Sequence, residues 1–158
     1  MNNRITQAIF HITYNCQHHC PMCYANAGDK NDFPTLSSLE KIIDQLVLEG
    51  ICDITLVGGD PVLFPNILEL CKYIKTKNAK LTILSNTLGF GPFIDEITKY
   101  VDVFEGTIHH SSAKTHDEFC GCQGAYDLLS KNLRYFSSTG DRRASVGKEC
   151  RSRWSPYH

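Results

Sequence analysis

Residues 13–24 read Thr-Tyr-Asn-Cys-Gln-His-His-Cys-Pro-Met-Cys-Tyr, and this stretch decides how the rest of the chain is interpreted. It places Cys16, Cys20 and Cys23 in the spacing C-x3-C-x2-C, directly after an apolar run at 5–12 that reads as a β-strand. A closed structural zinc site uses four protein ligands, and a cubane iron–sulfur cluster has four irons that are usually ligated by thiolates. Three cysteines on one loop would therefore leave one iron open to a substrate or cofactor.

The composition is that of one globular domain. The chain has 158 residues, of which 42% are hydrophobic and 21% charged, and its formal net charge is −1. This charge provides no electrostatic basis for binding nucleic acid or an anionic membrane. No apolar run approaches the roughly 18 residues of a membrane span, and the N-terminus has no signal-peptide core. We therefore expect a cytoplasmic protein that binds neither nucleic acid nor membrane.

The other cysteines are less informative. The cytoplasm keeps thiols reduced, so the eight cysteines do not predict disulfides. Cys52 lies in an apolar run and Cys71 in a helical pattern, and both read as small buried hydrophobes. Cys120 and Cys122 lie one residue apart in a glycine-containing loop, where two thiols could contact a metal, although no second pair of ligands is nearby.

Strand and helix signals alternate along the chain. Apolar runs predict four strands, at 5–12, 51–57, 81–84 and 101–108. Because four strands alternating with helices need long crossover connections, the order βαβαβαβα predicts an α/β fold with a parallel sheet. Ligands bind such sheets outside the carboxyl ends of the strands. The loops that follow the strands should therefore meet on one rim.

Capping residues locate the helices. Ser37 is predicted to be the N-cap of the first helix, with Glu40 completing a capping box, and Gly50 is predicted to end that helix. Pro65 suits the first turn of the second helix. A short helix is predicted around 93–97 and a last one over 125–136.

Three of the predicted strands carry polar or glycine-rich features at or just beyond their ends. These features are Gly58-Gly59-Asp60-Pro61 after the second strand, Ser85-Asn86 after the third and Thr107 within the fourth. Glycine has no Cβ and therefore permits positive φ and a close backbone approach to a ligand. Taken alone, the first two features would be ordinary turns, and threonine is common in strands.

Together, the cysteine spacing and these features resemble the core of the radical S-adenosylmethionine (radical SAM) enzymes, from about residue 5 to residue 140. The resemblance implies an α/β fold in which parallel βα repeats form a partial, TIM-like barrel, with about four of the repeats present. It also implies that Cys16, Cys20 and Cys23 bind a [4Fe-4S] cluster. The amino and carboxylate groups of S-adenosylmethionine (SAM) would chelate the fourth iron.

The same resemblance assigns cofactor-binding residues. Gly58, Gly59, Asp60 and Pro61 match the family's Gly-Gly-Glu-Pro element, which holds the SAM amino group, with an acid one methylene shorter. Ser85 and Asn86 would lie near the ribose or carboxylate of SAM, and Thr107 near the carboxylate. Met22 and Tyr24 flank the last cysteine. The family often has an aromatic residue in place of Met22, where the backbone faces the adenine.

The resemblance further implies an enzyme with oxidoreductase chemistry. A reduced cluster would cleave SAM to methionine and a 5′-deoxyadenosyl radical, which abstracts hydrogen from a substrate. A ferredoxin or flavodoxin would supply the electron, and no residue is assigned as a general acid or base. Residues 23–28 and the loop at 109–120 resemble peptide-modifying (SPASM-like) members, so the substrate is predicted to be a peptide.

Histidines offer alternative roles near both predicted sites. His18 and His19 could complete a Cys3His zinc site with the three cysteines. His109 and His110 end the fourth predicted strand, where His110 could relay a proton or contact substrate. By resemblance, His116 and Asp117 are interpreted as setting a loop.

Residues 141–158 are basic and lack strand periodicity, so we expect a disordered tail beyond a core at 1–140. Relatives have six βα units, so the predicted chain is a C-terminally truncated core whose fourth strand is an exposed edge. Three interpretations stay open: a radical SAM enzyme or its core fragment, a catalytically inactive cluster-binding remnant, and a zinc or iron–sulfur module without SAM chemistry. A partner chain could complete the sheet.

Overall fold

The computed structural model describes residues 5–138, apart from the side chain at position 92, and the backbone of 143–146. Within these residues, five strands form one parallel sheet: β1 (Gln7–Thr13), β2 (Asp53–Gly58), β3 (Lys80–Leu84), β4 (Val103–Gly106) and β5 (Arg143–Val146). Their order in the sheet is β1-β2-β3-β4-β5, the order in which they occur along the chain. A parallel sheet wound in one direction without reversal is the arrangement of a βα barrel, here left open. The predicted α/β partial barrel is confirmed.

In the part of the chain that the structure describes, five α-helices lie between these strands: α1 (Leu36–Leu48), α2 (Ile67–Thr76), α3 (Ile94–Ile97), α4 (Ala113–Cys120) and α5 (Ala125–Ser138). Two short 3-10 helices, Pro61–Leu63 and Gly91–Phe93, lie between β2 and α2 and before α3. No helix in the described part of the chain is long and apolar enough to cross a membrane.

The core lies between the central strands and the crossover helices. Residues 54–57 of β2 are all buried, as expected for a parallel strand covered on both faces. Ile54, Leu81 and Ile83 in the sheet and Ile43 and Leu70 on helices are fully buried. Each such side chain contributes about 1.5–3 kcal/mol relative to an exposed one. This packing holds the strand ends, and hence the loops that follow them, in register.

The second half of the sheet is covered by stacked aromatic rings. Phe104 of β4 stacks on Phe136 of α5 with ring centroids 3.9 Å apart, and Phe90 contacts both rings edge-on. Gly106 of β4 also faces α5, and a Cβ at this position would lie only 2.7 Å from a methyl group of Leu129. The absence of a side chain at Gly106 therefore lets α5 pack directly against β4.

The predicted capping of α1 is wrong by two residues. Thr35 is the N-cap, and its hydroxyl accepts a 3.2 Å hydrogen bond from the Ser38 amide. Ser37 lies inside the helix. The Thr35 hydroxyl satisfies the Ser38 amide, whereas a cap at Ser37 would have satisfied an amide two residues further along the chain. Gly50 follows the C-cap residue with φ of +91°, which confirms the predicted helix end.

Three other elements differ from the predictions. Pro65 precedes α2 instead of starting it, because Asn66 is the N-cap. β4 ends at Gly106, so Thr107 lies just beyond the strand. Helix α4 was not predicted, since its sequence is polar and offers too few apolar positions to show a helical period.

The fifth strand is the largest departure. Residues 143–146, in the segment expected to be disordered, pair in parallel with Val103–Gly106, so β4 is not the exposed edge of the sheet. The expectation failed because a strand of only four residues is too short to show a clear apolar period. The rest of that segment, 141–142 and 147–158, lies outside the described residues. The division of the chain at residue 140 stays a prediction.

Candidate metal centre at the strand ends

The cysteine loop runs from the end of β1 towards α1 and is closed by its own backbone. The Cys16 amide donates to the Gly28 carbonyl at 2.8 Å, and the Gly28 amide donates to the Tyr14 carbonyl at 3.1 Å. Within the loop the Cys23 amide donates to the Cys20 carbonyl at 3.2 Å. These bonds hold the three cysteines in a short turn outside any helix or ladder.

The sulfur atoms of this loop already face hydrogen-bond donors. Cys16 Sγ accepts from the His18 amide at 3.4 Å and from Asn86 Nδ2 at 3.5 Å, and Cys23 Sγ accepts from the Ala27 amide at 3.4 Å. Cys16, Cys20 and Cys23 are partly buried and none of them forms a disulfide. Donors aimed at sulfur stabilise a thiolate, which is the form that binds a metal. The donor set therefore fits a thiolate-ligated cluster.

Burial makes the free thiols weak acids. It raises the pKa of Cys16 to about 11, with a smaller opposing effect from the His18 amide and a further increase from the nearby Asp60 carboxylate. Burial also raises the pKa of Cys20. Because both groups are protonated at neutral pH without a metal, metal binding here must release protons.

Gly58 and Gly59 let the end of β2 cross the cysteine loop at close range. A Cβ on Gly58 would lie 2.2 Å from the Thr13 carbonyl oxygen, and one on Gly59 would lie 2.2 Å from that of Asn15. The Gly59 amide donates to the Thr13 carbonyl at 2.8 Å. The two glycines allow a close approach to the backbone of Thr13 and Asn15, whereas their predicted approach to a ligand stays a prediction.

Asp60 is fully buried between the ends of β2 and β3. Its Oδ1 accepts a 2.7 Å hydrogen bond from the Ser85 hydroxyl and a 3.3 Å bond from the Val62 amide. Burial raises the pKa of this carboxyl to about 6, and those two hydrogen bonds oppose the rise. The Asp60 amide also donates to the Asn15 carbonyl at 2.7 Å. Pro61 follows it, buried at the start of a short 3-10 helix.

Asn86 joins the end of β3 to the cysteine loop. Besides its bond to Cys16, its Nδ2 donates to Gln17 Oε1 at 3.2 Å, while its Oδ1 accepts from the Leu88 amide at 2.9 Å. One side chain thus sets its own turn and contacts the loop. The loop, the glycine turn and the Ser85-Asn86 turn meet on one rim, as the sequence predicts.

The remaining predicted residues are more exposed. Met22 is 61% exposed and Tyr24 75% exposed, and the Tyr24 ring lies edge-on to His11 with centroids 5.7 Å apart. Thr107 is exposed beyond the end of β4, and its hydroxyl forms no hydrogen bond within the residues that the structure describes. The cofactor contacts assigned to these three residues stay predictions.

A second group of possible metal ligands adjoins the loop and was not predicted as a set. His18, Cys20 and Cys120 each offer one ligand atom, and these atoms all lie within 4.8 Å of one another. Cys120 ends α4 and is fully buried, so it does not lie in the loop predicted for it, and its carbonyl accepts from the His19 amide at 2.8 Å. The sequence pairs Cys120 with Cys122 by proximity, whereas the tertiary structure places it against Cys20.

Helix α4 and the residues just before it determine the contacts of His109, His110 and His116. His116 is fully buried in α4, not in a loop; its Nδ1 accepts from the His109 amide at 3.2 Å, and its Nε2 lies 3.5 Å from Cys120 Sγ. Asp117 accepts from the Gly124 and Tyr126 amides and so joins α4 to α5, consistent with a role in setting the connection. His110 is exposed, and its Nδ1 accepts from the Ser112 amide.

The chain is similar in sequence to proteins of known family. The model of the radical SAM superfamily matches residues 10–143. The S-adenosylmethionine-dependent nucleotide dehydratase of Selenomonas ruminantium is 30% identical over 124 residues, which cover 76% of this chain and 45% of that protein. The antilisterial bacteriocin subtilosin biosynthesis protein AlbA of Bacillus subtilis is 24% identical over 137 residues, which cover 84% of this chain and 31% of that protein.

The solved structures extend the likeness to the fold. Streptococcus suis SuiB bound to its precursor peptide SuiA superimposes with a TM-score of 0.77 at 21% identity, over 89% of this chain and 32% of that one. The chain thus spans less than half the length of each of these relatives. The family model, however, covers most of the chain, including the cysteine loop, the glycine turn, the Ser85-Asn86 turn and Thr107. The chain belongs to the radical SAM superfamily.

Proposed function

We propose that this chain is the core of a radical SAM enzyme in which Cys16, Cys20 and Cys23 hold a [4Fe-4S] cluster. The observation that carries the proposal is the set of three free thiols on one loop, with amide donors aimed at the Cys16 and Cys23 sulfurs. When bound, the cluster and SAM supply a radical that abstracts hydrogen, which makes the reaction an oxidoreductase-type one. The residues of the chain bind and orient these groups.

We assign a separate role to each of the residues at the ends of β2 and β3. Asn86 donates a hydrogen bond to Cys16 and so holds the loop against β3. The Gly59 and Asp60 amides are already bonded to the loop, whereas the Gly59 carbonyl has no partner within the described residues. That carbonyl is the group we assign to the SAM amino group. Asp60 is buried against Ser85, so we assign both side chains to positioning this edge.

The outer part of the SAM site is assigned to the exposed residues of the rim. Met22 and Tyr24 would cover the adenine, with the Met22 backbone facing it, and Gly58 and Pro61 would shape the edge beside the methionine moiety. Asn86 and Thr107 would contact the ribose or the carboxylate through an amide and a hydroxyl group. A ferredoxin or flavodoxin would deliver the electron.

A peptide is the substrate class we propose. Support comes from the match to AlbA, a bacteriocin biosynthesis protein, and from the fold shared with SuiB, whose structure contains a precursor peptide. The nucleotide dehydratase match favours a second class, a nucleotide. The two are separated by asking which probe, a randomised peptide library or the four ribonucleoside triphosphates, increases 5′-deoxyadenosine formation. Stimulation by a nucleotide alone would overturn the peptide assignment.

Anaerobic reconstitution tests the proposed core function. We expect about four irons and four sulfides per chain, a SAM-dependent change in the cluster spectrum and 5′-deoxyadenosine formation under reductant. Serine at Cys16, Cys20 or Cys23 should abolish the cluster, whereas Cys52→Ser, at an exposed thiol far from the loop in sequence, should leave it intact. A cluster that binds SAM without cleaving it indicates an inactive remnant. Zinc without sulfide indicates a module that lacks SAM chemistry.

A further inference from the structure

The group formed by His18, Cys20 and Cys120 has the composition of a zinc site. Two sulfurs and one imidazole nitrogen are the ligand types that Zn²⁺ prefers. Their ligand atoms lie within 4.8 Å of one another. In a tetrahedral zinc site the same atoms are roughly 3.5–3.8 Å apart, given bond lengths of about 2.0–2.3 Å. Small side-chain rotations would therefore close the group around one ion.

Burial supports a ligand role for His18. His18 is only 7% exposed, and its Nδ1 lies 4.0 Å from Cys20 Sγ. Its Nε2 is buried without a hydrogen-bond partner in the described part of the chain. A buried ring nitrogen without a partner costs free energy, and a bound metal ion is one way to remove that cost. His18 therefore offers two candidate ligand atoms, namely Nδ1, which contacts the Cys20 thiol, and Nε2, which has no partner in the described residues.

His116 lies within hydrogen-bond distance of the Cys120 sulfur. Because its Nδ1 accepts a hydrogen bond from the His109 amide, the neutral ring carries its proton on Nε2. That N–H faces Cys120 Sγ at 3.5 Å and can donate to it. His116 is thus a positioning residue for a metal-bound thiolate and not itself a ligand. Three protein ligands then leave one open position on a tetrahedral ion.

We propose that His18, Cys20 and Cys120 bind one Zn²⁺ ion when the chain lacks its cluster, and that zinc and the cluster exclude each other because both require Cys20. Zinc binding replaces two thiol protons, so two protons are released and no electron is transferred. The zinc site rests on geometry alone, whereas the exclusion rests on the proposed function. Zinc bound here would hold the apo chain in a form that cannot assemble the cluster.

Substitutions that separate the two sites test the zinc site. The reduced, metal-free chain is incubated anaerobically with ZnCl2, desalted and analysed for metal. Wild type and Cys16→Ser should retain about one zinc, whereas Cys20→Ser, Cys120→Ser and His18→Gln should fall below about 0.1. His19→Gln is the matched control, because His19 is adjacent, exposed and outside the group, and it should retain zinc. His116→Gln should weaken binding by roughly 10–100-fold.

Two results would overturn the zinc site. Retention of zinc by both Cys120→Ser and His18→Gln would show that Cys120 and His18 are not ligands, and loss of zinc in Cys16→Ser would place the ion on the C-x3-C-x2-C loop. Circular dichroism of each variant separates ligand loss from unfolding. If the zinc pattern holds and the wild type assembles no cluster, the zinc site stands, whereas the proposed function and the exclusion that rests on it both fail.

Competition tests the exclusion. Zinc-loaded wild type should assemble less than about a tenth of the cluster formed by the metal-free chain, whereas Cys120→Ser should assemble it equally with and without added zinc. Equal cluster assembly by zinc-loaded and metal-free wild type, with zinc retained, would overturn the shared use of Cys20.

Discussion

The Ser85 hydroxyl donates a 2.7 Å hydrogen bond to Oδ1 of Asp60, a carboxyl group that is completely buried. This bond joins the carboxyl ends of β2 and β3 directly beneath the cysteine loop. Ser85 in turn accepts a 2.8 Å bond from the Thr87 amide. A buried acid at this junction makes the stability of the rim dependent on pH.

Asp60→Asn is expected to change how stability varies with pH. Burial raises the pKa of Asp60 from 3.8 to about 6 in the folded chain. Between about pH 4 and pH 6 the folded state therefore binds more protons than the unfolded state, so wild-type stability falls as pH rises. The asparagine variant lacks this titration and keeps an acceptor for Ser85. By pH 7 the wild type should have lost about 3 kcal/mol relative to the variant.

Urea unfolding of both metal-free proteins at several pH values measures this difference. Groups that titrate in both proteins cancel in the comparison. Parallel stability curves between pH 4 and pH 7 would show that Asp60 has an ordinary pKa and that the burial described above does not control it.

Gly59→Ala is expected to destabilise the chain and prevent cluster assembly. The new Cβ would lie 2.2 Å from the Asn15 carbonyl oxygen, so the cysteine loop must move away from β2. Overpacking of this kind typically costs about 1–3 kcal/mol. Gly28→Ala is the matched control, because a Cβ at Gly28 meets no atom within 4 Å.

Iron content after reconstitution and urea unfolding report the two effects of Gly59→Ala. We expect the Gly28 variant to match wild type in iron content. Equal iron content in the Gly59 variant would mean that the loop does not need its close contact with the end of β2.

Substitution of Asn86 is expected to lower the reduction potential of the reconstituted cluster. Its Nδ2 donates to Cys16 Sγ, and a donor at a cluster thiolate stabilises the more negative reduced state. Loss of about 1 kcal/mol of this stabilisation lowers a one-electron potential by about 40 mV. Asn86→Asp should lower it further than Asn86→Ala because it adds negative charge.

Comparison of the two Asn86 variants separates loss of the bond to Cys16 from loss of the turn. Aspartate keeps the acceptor for the Leu88 amide and so preserves the turn, whereas alanine removes both functions. A redox titration without SAM is the measurement. An unchanged potential in the aspartate variant would argue against any contact between this side chain and a cluster ligand.

Thr35→Ala is expected to destabilise the chain by about 1 kcal/mol, the usual cost of losing an N-cap. The Thr35 hydroxyl accepts from the Ser38 amide and so satisfies one unpaired donor at the start of α1. Ser37→Ala should change stability much less, because Ser37 lies within the helix. Thermal or urea unfolding compares the two variants, and the reverse ranking would restore Ser37 as the cap.

Much of the fold could be predicted because its signals are local. The apolar runs of the first four strands and the helical spacing of most crossovers are properties of short segments, and each was found within a few residues of its observed bounds. Errors arose where local signals compete or are missing. Thr35 and Ser37 are both good caps, the polar helix α4 lacks an apolar face, and β5 is too short to show a period.

The sequence by itself determined that three thiols, a glycine turn and a polar turn come together on one rim, because parallel strands present their carboxyl ends on the same edge of a sheet. Only the tertiary structure decided which side chains those turns direct inward. Asp60 is buried against Ser85, and Cys120 lies against Cys20 and His18 although α4 is far away in the sequence. Contacts of this kind depend on how a helix docks against a loop, and no spacing within one segment encodes that.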